Sequence, residues 1–152
     1  MRWALCAATA ALFFPAVAAA QRNAGWQLSL HWPAQGTITS PFGQDGSRWH
    51  PGLDIGILRS LDVRAAAAGV VTQVASGPGF AGYGNVVVVE HRDGYSTLYA
   101  HLANAVVHVG RQVWPGDLLG IAGCTGMCTG THLHFELRYR DKAIDPTFLM
   151  VG

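Results

Sequence analysis

The sequence predicts an all-β domain, either a sandwich or a barrel. Three observations predict it: the apolar segments are short and rich in valine, turns built on glycine separate them, and no segment has the periodicity of an amphipathic helix. Many short strands joined by turns are typical of a sandwich or a barrel. A chain of 152 residues is long enough for one domain with a hydrophobic core.

The first half of this predicted fold alternates strands with loops. Residues 44–49 form a polar loop, and glycines at 77, 79, 82 and 84 mark a long loop of the kind that walls a groove. Residues 37–43 are predicted to be a short strand that ends in a turn. The other predicted strands of this half are 53–57 and 63–74, the last of them one strand or two strands broken at Gly69.

The second half contains a hairpin and several shorter strands. Arg92-Asp93-Gly94 is the hairpin turn between a valine-rich strand and the strand that pairs back with it. The predicted strands of this half are 85–91, 95–102, 106–109, 112–114, 118–123 and 131–136.

The N-terminus is predicted to be a secretory signal peptide, residues 1–20. Arg2 precedes an apolar run from Ala4 to Val17, and Ala18-Ala19-Ala20 suits cleavage. A transmembrane anchor is the alternative, but the run is shorter than the roughly 20 residues that a span needs. We therefore expect an exported protein, in the periplasm or outside the cell, with no stable membrane anchor. A short lead-in, 21–36, would precede a single domain, 37–152.

Charge and cysteine content limit which partners and which cellular compartment are expected. Without Arg2, the basic and acidic residues balance, so no electrostatic footprint for nucleic acid remains. Cys124 and Cys128 flank a turn at Gly126 and would meet an oxidising compartment, so a disulfide between them is predicted. The competing hypothesis is a structural zinc site in which these cysteines join the two histidines at 132 and 134.

The segment 131–136, Thr-His-Leu-His-Phe-Glu, carries the strongest functional signal. In a strand His132, His134 and Glu136 share one face, while Leu133 and Phe135 lie on the other. Two imidazoles and a carboxylate are costly to bury together unless they are paired or bind a metal. Glu136 would either orient a ligand histidine or form a salt bridge, and the sequence leaves both open.

A second polar pair lies at His50 and Asp54, in His-Pro-Gly-Leu-Asp. In a straight strand these residues would lie ~13 Å apart, too far to share one ion. A bend at Pro51-Gly52 can fold His50 back over Asp54. Taken alone, the pair would be explained as well by a capped turn and a solvated histidine.

Four histidines and one aspartate are then candidates for a single site: His50, Asp54, His101, His132 and His134. Two histidines and one carboxylate beside a place for water are a catalytic zinc arrangement, and further histidines could shuttle protons and stabilise an oxyanion. Spacing does not decide which of His132 and His134 binds the ion. An iron oxygenase site is an alternative, although two extra histidines and export fit hydrolysis better.

Four motifs in order then resemble the lysostaphin/LytM-type zinc metallopeptidases. They are His50-Pro51-Gly52-Leu53-Asp54, Gly82-Tyr83-Gly84-Asn85, Tyr99-Ala100-His101-Leu102 and Gly130-Thr131-His132-Leu133-His134-Phe135-Glu136. The resemblance implies a compact antiparallel β domain, a sandwich or barrel-sandwich hybrid, with the metal in a groove walled by long loops. It also implies cleavage of peptide cross-links in bacterial peptidoglycan.

The same resemblance implies the role of each site residue. His50, Asp54 and His134 match the ligands of one zinc ion per chain, and His101 and His132 match the two catalytic histidines. We expect a monomer whose partners are peptidoglycan stem peptides and their cross-links. Cysteines at 124 and 128 are unusual for this family.

Two rival functions were weighed against this one. A non-catalytic LytM-like activator of a cell-wall amidase would typically have lost zinc ligands, whereas every matched position is filled here. A biotinyl or lipoyl carrier needs a lysine at a hairpin tip, and the one lysine, Lys142, lies near the C-terminus. The remaining histidines, His31, His91 and His108, are predicted to be surface residues.

Overall fold

A computed structural model describes residues 28–46, 48–77 and 80–152. The predicted signal peptide, 1–20, and the first part of the lead-in lie outside these residues. In the described part of the chain, no helix is both long enough and apolar enough to cross a membrane.

The described chain is built from twelve short strands and two turns of 3₁₀ helix, at Arg92–Gly94 and Pro146–Leu149. The strands are β1 (Thr37–Ser40), β2 (Gly43–Asp45), β3 (Arg48–His50), β4 (Leu53–Gly56), β5 (Asp62–Arg64), β6 (Gly69–Ala75), β7 (Asn85–Glu90), β8 (Tyr95–Ala105), β9 (Gln112–Val113), β10 (Leu118–Ala122), β11 (Leu133–Tyr139) and β12 (Lys142–Ile144).

Ten of these strands form one sheet, and every pairing between named strands is antiparallel. The main order is β1-β4-β11-β8-β7-β6-β9, with β12 beside β11 and β10 joining β8 to β5. Strands β2 and β3 form a separate hairpin. The predicted all-β antiparallel fold is confirmed, and the sheet does not close into a barrel.

Strand β11 lies at the centre of the sheet, between β4 and β8. As the alternation predicted, Leu133, Phe135 and Leu137 are fully buried in the main hydrophobic core. Phe135 packs against Tyr99 of β8 with their ring centroids 5.3 Å apart. Burying each such side chain contributes roughly 1.5–3 kcal/mol, so the apolar face fixes the strand and thereby the direction of the opposite face.

Two predicted segments differ from the structure. In the predicted loop 44–49, Gln44 and Asp45 instead belong to β2, and Arg48 and Trp49 belong to β3. Gly43 opposes His50 and Asp45 opposes Arg48. The predicted strand 106–109 does not form. There the chain leaves β8 after Ala105 and turns at Gly110, whose φ of +88° favours glycine.

The prediction that His91 is a surface residue is wrong. This side chain is half-buried, and its Nδ1 lies 2.8 Å from the carbonyl oxygen of Ala68 while Nε2 lies 2.9 Å from Oγ1 of Thr97. Thr97 in turn donates to the hydroxyl of buried Tyr99, which accepts a bond from the Ala66 amide. Because the turn that follows His91 is polar, the sequence did not indicate this hydrogen-bond network. His31 and His108 are exposed, as predicted.

Candidate metal centre

Three candidate ligands come together where β3, β4 and β11 meet. Asp54 on β4 directly opposes His134 on β11, and Oδ1 of the aspartate lies 2.8 Å from Nδ1 of the histidine. His50 ends β3, and the bend at Pro51-Gly52 returns its ring so that Nε2 lies 3.2 Å from the same Oδ1. A Cβ on Gly52 would collide with the carbonyl oxygen of Phe135, so this close turn requires glycine.

The hydrogen bonds of the two rings fix which nitrogens face each other. His50 Nδ1 lies 2.8 Å from the carbonyl oxygen of Pro41, which can only accept, so this nitrogen carries the proton. His134 Nε2 lies 3.0 Å from Oε1 of Glu136 and donates to it. The lone pairs of His50 Nε2 and His134 Nδ1 then converge, 3.1 Å apart, beside the Asp54 carboxylate.

Once both inward-facing nitrogens are deprotonated, these three atoms are acceptors that can bind a cation. Zinc bound tetrahedrally by nitrogen and oxygen at 2.0–2.1 Å separates its ligand atoms by about 3.3 Å. The sides of the triangle measure 3.2, 2.8 and 3.1 Å. Two imidazoles and one carboxylate are also a donor set that zinc takes in catalytic sites. The residues present therefore fit a zinc ion.

A buried carboxylate lies behind His134. Glu136 has no solvent exposure; its Oε1 accepts from the Tyr83 hydroxyl at 2.5 Å and its Oε2 accepts from Nε of Arg138 at 2.7 Å. Burial alone would raise the pKa of Glu136, but the bonds from His134, Tyr83 and Arg138 outweigh it and hold that pKa below its ordinary value. Glu136 is thus an ionised carboxylate that fixes the orientation of the His134 ring, and it also forms the alternative salt bridge, with Arg138.

His101 and His132 lie beside the triangle with their ring centroids 4.7 Å apart. His101 Nδ1 donates to the carbonyl oxygen of Thr125, and His132 Nδ1 donates to the carbonyl oxygen of Gly130. Both donor–acceptor distances are 2.8 Å. A ring bonded in this way keeps Nε2 as its basic atom when it is neutral. Nε2 of His132 lies 3.7 Å from Oδ1 of Asp54, farther than either nitrogen of the triangle.

The backbone at His101 is strained. Its φ of +60° falls in the left-handed region that side chains with a Cβ rarely adopt. The residue nonetheless lies inside β8, and its amide donates to the carbonyl oxygen of Tyr83 at 2.9 Å. Burial lowers the pKa of the His101 imidazole, which favours the neutral ring.

A disulfide between Cys124 and Cys128 closes the loop that positions His101, with the two Cα atoms 5.6 Å apart. This loop holds Thr125, whose hydroxyl donates to the carbonyl oxygen of Leu102 at 2.8 Å and accepts from the Asn85 amide at 3.0 Å. The predicted disulfide is confirmed. The competing cysteine–histidine zinc site is wrong, because both thiols are consumed in the bond.

The site opens into a groove of about 340 Å³. One wall is the β2–β3 hairpin, and others are the segments 81–83 and 127–129. All five residues predicted from the sequence line the groove: His50, Asp54, His101, His132 and His134. The sequence assigned no role to Tyr83 or Arg138. Arg138 could have been found, because it continues the alternation of His134 and Glu136 along one face of β11. Tyr83 belongs to the motif Gly82-Tyr83-Gly84-Asn85, but nothing in that motif indicates its bond to Glu136.

Comparisons with known proteins agree with this geometry. Residues 48–146 match the family model described as Peptidase family M23. The murein hydrolase activator NlpD of Escherichia coli K12 is 34% identical over 117 residues, which are 76% of this chain and 29% of that protein. The chain spans between 20% and 44% of the length of the curated relatives that it matches.

Two solved structures are similar in fold. A zinc-containing peptidase from Vibrio cholerae has a TM-score of 0.65 at 30% identity, over 78% of this chain and 39% of that one. The antimicrobial peptidase lysostaphin from Staphylococcus simulans has a TM-score of 0.67 at 28% identity, over 80% of this chain and 52% of that one. The predicted resemblance is confirmed: the chain belongs to peptidase family M23.

Proposed function

We propose that this protein is a zinc metalloendopeptidase that hydrolyses peptide cross-links of bacterial peptidoglycan, with one zinc ion per chain. A single observation carries the proposal: the lone pairs of His50, Asp54 and His134 converge in a triangle whose sides are 2.8–3.2 Å. Membership of the M23 family and similarity to a zinc-containing peptidase support it.

Each site residue has a chemical task in this proposal. When bound, zinc supplies a Lewis acid that makes a coordinated water acidic near neutral pH. His132 presents its basic Nε2 toward the site and accepts a proton from the attacking water. His132 then gives this proton to the leaving amine. His101, oriented by the Thr125 carbonyl, steadies the tetrahedral oxyanion when its Nε2 carries a proton. Glu136 keeps the His134 ring in the orientation that binds the ion.

The proposed setting is outside the cytoplasm. Cleavage of a signal peptide, 1–20, would release a chain with a lead-in, 21–36, and the catalytic domain, 37–152. The Cys124–Cys128 disulfide is consistent with an oxidising compartment. Export to the periplasm or the cell exterior would bring the groove to its peptidoglycan substrate.

The alternative function is activation of a cell-wall amidase without catalysis. The observation that favours it is the similarity to the E. coli murein hydrolase activator NlpD. Against it, the two ligand histidines, the aspartate and both catalytic histidines line one groove. A non-catalytic module has no use for this complete set.

Digestion of purified sacculi separates the two functions. Zinc-loaded protein is incubated with sacculi of the diaminopimelate type and of the glycine-bridged type, and the fragments are identified by mass. We expect peptide cross-links to be cut by the wild-type protein and not by His132→Ala. Intact cross-links in both wall types, together with faster release of stem peptides by an added amidase, would overturn the proposal in favour of the activator.

A further inference from the structure

One wall of the groove carries a positive charge that catalysis does not use. Arg48 begins β3 and His50 ends it. Because side chains alternate along a strand, residues two apart share a face, and both line the groove. Their Cα atoms are separated by about 6.6 Å in a strand, so the long Arg48 side chain extends beside the metal centre.

The other side of the hairpin is aromatic. Phe42 and the exposed Trp49 contact each other edge to face, with centroids 5.3 Å apart. Trp49 lies between Arg48 and His50 and therefore projects from the opposite face of β3. This contact supports the hairpin from behind and leaves the Arg48 face open to the groove.

Arg48 is available for a ligand. Its side chain is exposed, and within the described residues the guanidinium has no hydrogen-bond or ion-pair partner. Of the described residues that line the groove, it is the one Lys or Arg. By contrast, Arg138 is bound to Glu136 and Arg64 to Asp62. Asp54, the carboxylate of the groove, faces the two histidines.

We propose that Arg48 binds a carboxylate of the substrate, so that the groove selects peptides that carry a free carboxylate close to the scissile bond. This inference rests on the proposed function and names its substrate class. Guanidinium binds carboxylate through two parallel hydrogen bonds. Diaminopimelate cross-links carry such carboxylates and glycine bridges do not, so the proposal favours the first type.

The carboxylate could be the C-terminus of the peptide or a side-chain group. Three stem-peptide ligands distinguish these sources: one with every carboxylate free, one with only the C-terminus amidated and one with only the side-chain carboxylate amidated. Their binding to the zinc-loaded wild-type protein, Arg48→Gln and Arg48→Lys is measured by calorimetry. Arg59→Gln is the matched control, because Arg59 is exposed and lies outside the groove.

We expect the wild-type protein to bind the free acid about tenfold more tightly than one of the two amides, as for one charge-assisted pair at a solvated site. Arg48→Gln should bind all three peptides within about twofold, Arg48→Lys should keep part of the preference, and Arg59→Gln should keep all of it. The preference should shrink as salt rises from 50 to 500 mM. Equal binding of all three peptides by the wild-type protein, or a preference unchanged in Arg48→Gln, would overturn the proposal.

Failure of this inference is distinguishable from failure of the proposed function. If sacculi are cut but binding shows no Arg48-dependent preference, the endopeptidase remains and the carboxylate site is refuted. An Arg48-dependent preference without cleavage would support the carboxylate site and refute the endopeptidase.

Discussion

The imidazole of His134 lies between two carboxylates, with Nδ1 2.8 Å from Oδ1 of Asp54 and Nε2 3.0 Å from Oε1 of Glu136. The first carboxylate shares the metal triangle, and the second has no exposure to solvent. A carboxylate behind a ligand histidine fixes its tautomer and raises its basicity. Glu136 would therefore act on a bound zinc ion through His134 without touching it.

Replacing Glu136 by glutamine should weaken zinc binding by roughly 10- to 100-fold. The amide keeps the shape of the side chain but loses the charge that holds the His134 proton. Zinc affinity is measured by competition with a chromophoric chelator. Tyr83→Phe is the control: it removes one donor to Glu136 and leaves the carboxylate bound to Arg138 and His134, so its zinc affinity should fall far less. Identical affinities for the wild-type protein and Glu136→Gln would refute this role.

Loss of either histidine beside the triangle should abolish most activity and leave the metal in place. His132→Ala and His101→Ala should each reduce kcat by about 10²–10⁴-fold, as expected for a lost acid–base group, with zinc content unchanged. Turnover of a cross-linked peptide and metal content are measured on the same samples. His108→Ala, at an exposed position outside the groove, should match the wild-type protein; activity within twofold of it in His132→Ala would contradict the assignment.

Opening the disulfide should lower activity by about tenfold through His101. The Thr125 carbonyl that orients this ring lies inside the Cys124–Cys128 loop, and small displacements of a catalytic group reduce turnover strongly. The proposed zinc ligands lie on β3, β4 and β11, so zinc should be retained. The double substitution Cys124→Ser, Cys128→Ser and wild-type protein treated with a phosphine reductant should give the same loss. Full activity in both samples would show that the loop does not need the bond.

Stability should fall in acid because of His91. Burial holds the pKa of this imidazole below its ordinary value of 6.5, so the unfolded chain takes up the proton more readily than the folded protein. The contribution of the neutral His91 ring to the free energy of unfolding is therefore complete above pH 6.5. It is lost as the pH falls through the lowered pKa of the folded protein.

Urea unfolding of the wild-type protein and His91→Gln between pH 8 and pH 5 measures this contribution. At pH 8 the variant should be less stable by about 1 kcal/mol, for lost hydrogen bonds to Ala68 and Thr97. That difference should narrow as the pH falls below 6.5, because the unfolded wild-type chain takes up a proton that the folded protein binds less readily. Substituting the exposed His108 by glutamine should give no such trend; a difference independent of pH would show that His91 does not titrate with folding.

The sequence predicted those parts of the site that follow from short-range geometry. Alternation along the segment 131–136 placed His132, just before β11, and His134, within it, opposite a buried apolar face. The Pro51-Gly52 bend brought His50 to Asp54. The alternation and the bend both follow from backbone constraints that neighbouring residues impose. The convergence of these segments with His101 followed from the family resemblance rather than from spacing.

What the sequence did not reveal depends on contacts across the fold. Tyr83 reaches Glu136 from 53 positions away, and no local pattern encodes that bond. The sequence did not indicate the β2–β3 hairpin, because its residues are mostly polar and its strands are only three residues long. His91 is half-buried because its partners come from other segments, Ala68 just before β6 and Thr97 of β8, whereas its own segment resembles a surface turn.

The central claim is tested most directly by equilibrium zinc titration of the wild-type protein, His134→Ala and His132→Ala after removal of metal. We predict one tightly bound zinc per chain in the wild-type protein and in His132→Ala, and none retained by His134→Ala. Zinc held by His134→Ala but released by His132→Ala would invert the assignment within the pair, and a wild-type protein that binds no zinc would contradict the whole account.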